Sequence, residues 1–342
     1  MARVAIYGAS GYTGLELLKL LARHPHAQVT ALLTRQDEAP HLSEIHPQLT
    51  GSFDLRLENL SVDQVAERAD VAFTCLPHAA SAEVCADLLS RGVKVVDLSA
   101  DYRLGDAGTY QQWYGHEHPD AARLGKTPYG LPELFREQII GADLIANPGC
   151  YPTSAILALT PLLRAGLIER EGIVVDSKSG VSGAGRTPKL LTHYPECNES
   201  FSAYGVGTHR HMPEIDRVLS MASDQSKASH KAIEVLFTPH LVPMDRGILS
   251  TIYATPKGDA TPASVMAALK EAYANEPFVS AVEAPPATKH VAHTNRCHVY
   301  GTVVRGKVLL VSVIDNLIKG ASGAAVQNFN LMCGFDETTA LR

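Results

Sequence analysis

Along the first 150 residues, short apolar runs of β-prone residues alternate with stretches whose apolar positions recur at helical spacing. Residues 4–7, 28–33, 70–75, 93–98 and 143–146 read as strands. The leucines at 15, 17, 18, 20 and 21, and the segment 81–90, read as helices between them. Regular alternation of strand and helix predicts a parallel sheet covered by helices. Near residue 151 the pattern changes. Runs at 172–177, 232–239, 248–254, 297–305 and 307–314 predict a mostly antiparallel sheet with helices, and the polar segments 223–229 and 258–262 read as surface loops. A chain of 342 residues is also too long for one ordinary core, so two domains are expected.

Composition narrows the classes of function. Hydrophobic residues make up 45% of the chain, enough to fill two cores. A net charge of −6 with no basic block argues against nucleic acid or a membrane surface as partner. The six cysteines, at 75, 85, 150, 197, 297 and 333, form no CxxC pair, which points to free thiols in a reducing compartment. Strand-like sequence starts at Arg3, leaving no room for a signal peptide, and no apolar run is long enough to span a bilayer. A cytoplasmic protein is expected.

Two stretches carry candidate chemistry. Gly8-Ala9-Ser10-Gly11-Tyr12-Thr13-Gly14 lies between the first strand and the first helix, which is the context of a dinucleotide-binding Rossmann unit. Gly8, Ser10, Gly11, Tyr12, Thr13 and Gly14 are the candidate phosphate cradle, with the pyrophosphate at a helix N-terminus. The second strand ends in Leu33-Thr34-Arg35; Arg35, aided by Thr34, suits the 2′-phosphate of NADP, with Asp37 and Glu38 close enough to compete. Pro77, at another strand end, would lie on the ligand-binding edge of the sheet. The second stretch is Asn147-Pro148-Gly149-Cys150-Tyr151-Pro152-Thr153, which sets a cysteine at the start of the helix predicted from Ser154 to Leu163. A helix N-terminus favours the thiolate, the nucleophilic form of cysteine. Cys150 is therefore the candidate nucleophile, expected beside the nicotinamide. His209 and His211, in His209-Arg210-His211-Met212-Pro213-Glu214, titrate in the range an acid–base partner needs. Arg210 and Arg103 are candidates for an anionic substrate group, and so is Ser182 in the turn Ser179 to Arg186. Asn316 opens a segment of small residues that would line the cofactor. The H-x-H pair lacks a third ligand at a diagnostic spacing, so no metal is expected.

Taken in order, these motifs resemble those of the long-chain N-acetyl-γ-glutamyl-phosphate reductases. The resemblance also covers Asp97 to Arg103, Tyr129 to Leu134, Phe237 to Gly247 and Asp315-Asn316-Leu317, and so runs over nearly the whole chain. It implies an α/β architecture: a Rossmann domain over 1–149, an α+β catalytic domain of the glyceraldehyde-3-phosphate dehydrogenase type over 150–315, and a C-terminal helix over 316–342 that returns to the first domain. It further implies NADP(H) as cofactor, an acyl-phosphate substrate reduced through a Cys150 thioester, proton handling by His211 or His209, and a homo-oligomer, dimer or tetramer. Two alternatives stay open: an enzyme acting on a homologous aminoadipyl or aspartyl phosphate, and a non-catalytic NADP sensor.

Overall fold

A computed structural model describes residues 1–34, 39–77, 79–223 and 232–342. Arg35, Asp37 and Glu38 lie outside the described residues, as do His78 and most of the polar segment 223–229. The chain divides into two compact units, residues 1–148 with 321–342, and residues 149–320.

The first unit is built on six strands: β1 (Ala2–Tyr7), β2 (Ala27–Leu33), β3 (Leu57–Glu58), β4 (Val71–Thr74), β5 (Lys94–Asp97) and β6 (Leu144–Ala146). They pair in the order β3-β2-β1-β4-β5-β6, every neighbour parallel. The order reverses between β1 and β4, the switch point where such sheets bind nucleotides at the strands' carboxyl ends. The helices of this part are α1 (Tyr12–Leu21), α2 (Leu42–Ile45), α3 (Val62–Arg68), α4 (Ala82–Ser90), α5 (Ala107–Tyr114) and α6 (Pro132–Ile139). The central strands are buried on both faces, which is why their sequences are continuous apolar runs. With two residues, β3 is too short to leave a pattern.

The second unit starts with α7 (Cys150–Arg164), α8 (Tyr194–Cys197), α9 (His211–Ser223) and α10 (Pro262–Tyr273), set around strands β7 (Ile173–Gly180), β8 (Ser202–Ala203), β9 (Val235–Val242), β10 (Ile248–Ala254), β11 (Val279–Ala281), β12 (Cys297–Val304) and β13 (Lys307–Ile314). The sheet order is β11-β12-β13-β10-β7-β9-β8. It is mixed: β7 with β9 and β11 with β12 are parallel, the rest antiparallel. The parallel pair β7–β9 needs a crossover, and α9 lies on that connection.

α7 is buried from Tyr151 to Leu162, so it is apolar all round and not amphipathic. Of the polar groups it carries inward, Ser154 Oγ lies 2.6 Å from Ser250 Oγ, which lies 2.7 Å from Ser177 Oγ, whereas the buried Thr160 hydroxyl has no hydrogen-bond partner. Pro161 sits inside the helix and has no N–H for the Leu157 carbonyl. The Tyr273 hydroxyl of α10 donates to that carbonyl instead. α7 and α10 cover one face of the sheet. On the other face Thr302, Leu309, Tyr253, Val174 and Leu236 stand in register across five strands, all at least partly exposed.

The last helix, α11 (Gly323–Met332), belongs to the first unit and is buried along its whole length. Its polar side chains bond inside that unit: Asn328 Nδ2 donates to Gly130 O at 2.8 Å, and Asn330 Oδ1 lies 2.8 Å from His24 Nε2.

Candidate active site

At the nucleotide end of the first unit, β1 runs into Gly8, whose φ of +75° is left-handed. A Cβ there would lie 2.3 Å from the Cys75 carbonyl oxygen, so only glycine lets the loop pass β4. Gly11 is the N-cap of α1, with no side-chain cap and no acidic residue in the first turn. The N–H groups of Tyr12, Thr13 and Gly14 have no intrahelical acceptor and can meet an anion. Buried His46 holds the loop from behind, its Nε2 being 2.9 Å from the Ala9 carbonyl, and Ser322 Oγ donates to Thr13 O at 2.8 Å. No local sequence signal marked His46.

The start of α4 is different. Buried Asp101 accepts the N–H groups of Ala79, Ser81 and Ala82 at 2.8, 3.2 and 3.1 Å, so a carboxylate already fills that helix end. Of these two helix starts, α1 therefore is the one suited to phosphate. The same carboxylate fixes Ala79 in the left-handed region, at φ +71°, on the loop that begins with exposed Pro77. Thr34 closes β2, its N–H donating to Glu58 O at 3.0 Å.

Arg103, expected at the substrate, is buried and donates from Nε to Asn147 O and from a terminal nitrogen to Leu98 O, each at 2.7 Å. Asn328 Nδ2 reaches Asn147 Oδ1 at 2.9 Å. These bonds brace the strand-end segment that leads to the cysteine.

In the second unit, Gly149 is the N-cap of α7 and Cys150 its first residue, half-buried. Glu214, on the first turn of α9 and 1% exposed, accepts the Gly149 N–H through Oε1 at 2.8 Å. Thr153 returns both its N–H and its hydroxyl to Gly149 O, at 3.0 and 2.9 Å. The turn before the thiol is thus held from both ends. From the far side of the chain, Gly320 closes on it: a Cβ on Gly320 would lie 2.8 Å from Cys150 Cβ. Gly320 belongs to a π-helical turn, Ile318–Ser322, a form frequent at functional sites.

Burial pushes the pKa of Cys75 up to about 12, with Asp97 adding to it, that of Cys333 up to about 11, and that of Cys85 well up. Such thiols are inert near neutral pH.

His209 and His211 meet edge to face at 4.8 Å between ring centres, and Tyr151 packs against both, at 5.6 and 5.9 Å. His209 Nδ1 accepts the His211 N–H at 3.2 Å. Burial, with the Arg210 charge beside it, lowers the His209 pKa to about 4. His209 is therefore neutral near pH 7 with its proton on Nε2, a donor and not a base. Arg210 is exposed.

Ser182 and Asn316 form a bridge inside the second unit. Ser182 Oγ donates to Asp245 O at 2.6 Å and accepts from Asn316 Nδ2 at 3.0 Å, while Asn316 Oδ1 accepts the Gly247 N–H at 2.7 Å. The proton of Ser182 is thus already given to a backbone carbonyl. Beside it, fully buried Asp315 caps the π-helical turn through the N–H groups of Leu317 and Ile318, at 2.8 and 2.9 Å, and pairs with Arg246 at 3.4 Å. Among the described residues no group of three or more His, Cys, Asp or Glu side chains is placed to hold a metal ion, and no helix is long and apolar enough to cross a membrane.

Comparison with known proteins agrees over the whole length. Residues 3–142 match the semialdehyde dehydrogenase NAD binding domain, and residues 150–316 the semialdehyde dehydrogenase dimerisation domain. The chain is 52% identical to N-acetyl-gamma-glutamyl-phosphate reductase of Rhodopirellula baltica, covering 99% of this chain and 98% of that one. It is 51% identical to the reductase of the same name from Geobacter sulfurreducens, over 100% and 98%. Among solved structures, aspartate semialdehyde dehydrogenase II of Vibrio cholerae superposes with a TM-score of 0.72 at 18% identity, covering 98% of each chain. The aspartate semialdehyde dehydrogenase of Candida albicans, solved with NADP, gives 0.71 at 13% identity over 97% and 98%. At such identities the solved structures share the fold.

Proposed function

The chain belongs to the N-acetyl-gamma-glutamyl-phosphate reductases of the semialdehyde dehydrogenase family, and from this we propose that Cys150 is its nucleophile and His211 its proton carrier. The reaction is the NADPH-dependent reductive dephosphorylation of N-acetyl-γ-glutamyl phosphate to the semialdehyde and phosphate, in arginine biosynthesis. One observation carries the assignment: Cys150 opens α7 with Glu214 and Thr153 fixing the turn before it, on the same side as the His209–His211 pair, whose rings both pack against Tyr151.

The Cys150 thiolate attacks the γ-carbonyl carbon, forming a C–S bond as the bond to the phosphate oxygen breaks. The N–H groups that open α7 stabilise the oxyanion that develops. His211 takes the thiol proton and returns it to the departing phosphate oxygen, so the products balance as a thioester and hydrogen phosphate. His209, neutral with Nε2–H, supplies a hydrogen bond only. Bound NADPH supplies the hydride that reduces the thioester. As the carbonyl re-forms, the C–S bond breaks and the thiolate is regenerated. For the cofactor, we assign the pyrophosphate to the N–H groups of Tyr12, Thr13 and Gly14, and the 2′-phosphate to Arg35 and Thr34, with Pro77 at the edge. Arg210 is the arginine exposed for a substrate anion, whereas Arg103, Ser182 and Asn316 act as braces.

The reverse direction tests this reading. N-acetylglutamate semialdehyde should reduce NADP⁺ only when inorganic phosphate is present, and with NADP⁺ preferred over NAD⁺. Reduction independent of phosphate would overturn the acyl-phosphate assignment. A longer or shorter semialdehyde, differing by one methylene, should lose about 10–200-fold in kcat/KM.

The open face of the second sheet supports a homodimer. It presents Leu236 at 61% and Tyr253 at 43% exposure in one row, within the segment that matches a dimerisation domain. Sedimentation should give twice the chain mass of 36.7 kDa or a multiple of it, and a 36.7 kDa species would sink the dimer.

A further inference from the structure

α7 and α9 pack side by side and run in the same direction. At one end Glu214, in the first turn of α9, accepts the N–H of Gly149, the N-cap of α7. At the other end Arg164, the last residue of α7, donates from Nε to the Ala222 carbonyl of α9 at 2.8 Å. Between these ties α9 buries Ile215, Val218, Leu219 and Ala222, an apolar stripe at helical spacing. Two positive helix ends therefore stand together at Cys150. α7 brings no carboxylate of its own to that end: Gly149 makes no side-chain cap, and the first turn holds no acidic residue. The carboxylate that serves it comes from α9 and is 1% exposed.

We propose that Glu214 is a positioning residue: through Gly149 it holds the start of α9, and with it His211, in register with Cys150. His211 and Glu214 are three residues apart on one helix and share a face. The linkage is short. It runs from His211 through one turn of α9 to the Glu214 side chain, then across a 2.8 Å hydrogen bond to Gly149, with Cys150 next in the chain. The Tyr151 ring, one residue further on, meets the His211 ring at 5.9 Å. The helix start is fixed on its other side too, since the Met212 N–H donates to His209 O at 3.0 Å and the His211 N–H to His209 Nδ1 at 3.2 Å. Proton transfer between thiol and imidazole needs the two groups within hydrogen-bond reach. The position therefore requires a side chain of this length that ends in an acceptor oxygen, and glutamine supplies both.

The proposal rests on Cys150 and His211 as the reactive pair. Glu214→Met keeps the length of the side chain and removes the acceptor, whereas Glu214→Gln keeps both. In the Met variant kcat should fall by about 10²-fold, the effect of a misplacement of about 1 Å, with the KM for NADPH nearly unchanged. Glu214→Gln should recover kcat to within about ten-fold of the parent, the cost of a neutral acceptor in place of a charged one. Thermal melting shows whether each variant is folded. Parental kcat in folded Glu214→Met overturns the proposal. So does a loss in Glu214→Gln as large as that in Glu214→Met, which would make charge and not placement the requirement. Should the Met variant not fold, Glu214→Asp takes its place: it keeps the carboxylate but falls one methylene short. A loss of about 10²-fold in that variant supports the proposal, and parental kcat overturns it. Parental turnover in Cys150→Ala or His211→Ala would instead overturn the reading of the reactive pair, so the two failures are told apart.

Discussion

Replacing Cys150 by alanine should leave a folded, NADPH-binding protein whose reductase turnover has dropped by more than about 10⁴-fold. Folding survives because the substitution removes one half-buried sulfur from the first position of a helix, where alanine is well tolerated. Cofactor binding should survive because the phosphate cradle proposed at the start of α1 is built within the first unit and uses no atom of Cys150. On the proposed mechanism what is lost is the thioester, and with it the step that turns an acyl phosphate into a hydride acceptor. Helix N–H groups and substrate binding remain and account for whatever residual rate is seen. Turnover is read from NADPH oxidation, and NADPH binding from fluorescence titration. A variant within ten-fold of the parent rate would show that another group attacks the substrate.

Gly320→Ala should lower kcat by about 10²-fold while leaving the KM for NADPH nearly unchanged. The added methyl would stand 2.8 Å from Cys150 Cβ and 3.3 Å from both Cys150 Cα and the Asp315 carbonyl oxygen. Neither neighbour yields easily. Cys150 is locked by the α7 backbone, and the Gly320 N–H is bonded to Asp315 O at 2.9 Å in a turn that Asp315 also caps through its side chain. Overpacking of this kind costs roughly 1–3 kcal/mol of stability, read as a few degrees of Tm. Displacement of a nucleophile by about 1 Å costs on the order of 10²-fold in rate. Steady-state kinetics with thermal melting separates the two effects. Parental kcat in Gly320→Ala would mean that the turn slides aside and does not position the thiol.

The glycine loop, the strand that feeds Cys150 and the histidine pair are legible in the sequence because each is a local pattern of a few residues. The groups that hold them are not. Glu214 reaches Gly149 across sixty-five positions of chain, Gly320 reaches Cys150 across one hundred and seventy, and Asp315 meets Arg246 across sixty-nine. Nothing in the residue types at those positions announces the pairing. Arg103 shows the opposite difficulty. An arginine after a sheet strand suggests an anion ligand, but the carbonyls of Asn147 and Leu98 engage it. Ser182 is similar, since a serine in a glycine-rich turn reads as a phosphate donor until its proton is traced to Asp245 O. The mixed character of the second sheet was equally hidden. Strand runs reveal which segments extend, whereas the parallel β7–β9 pairing depends on where α9 carries the chain.

Unit boundaries impose an order on biosynthesis. The first unit lacks α11 until residues 321–342 are made, and α11 is no ornament: it packs on α1, α6 and β5, and its asparagines satisfy groups that would otherwise be buried without partners. The second unit is one continuous stretch, residues 149–320. On the ribosome the nucleotide-binding sheet therefore emerges first yet is completed last. It waits while the whole second unit is translated, on the order of ten seconds or more at roughly 5–20 residues per second. During that interval the apolar bed of α11 stands open, so nascent chains of this protein carry their greatest aggregation hazard in the half that was synthesised first.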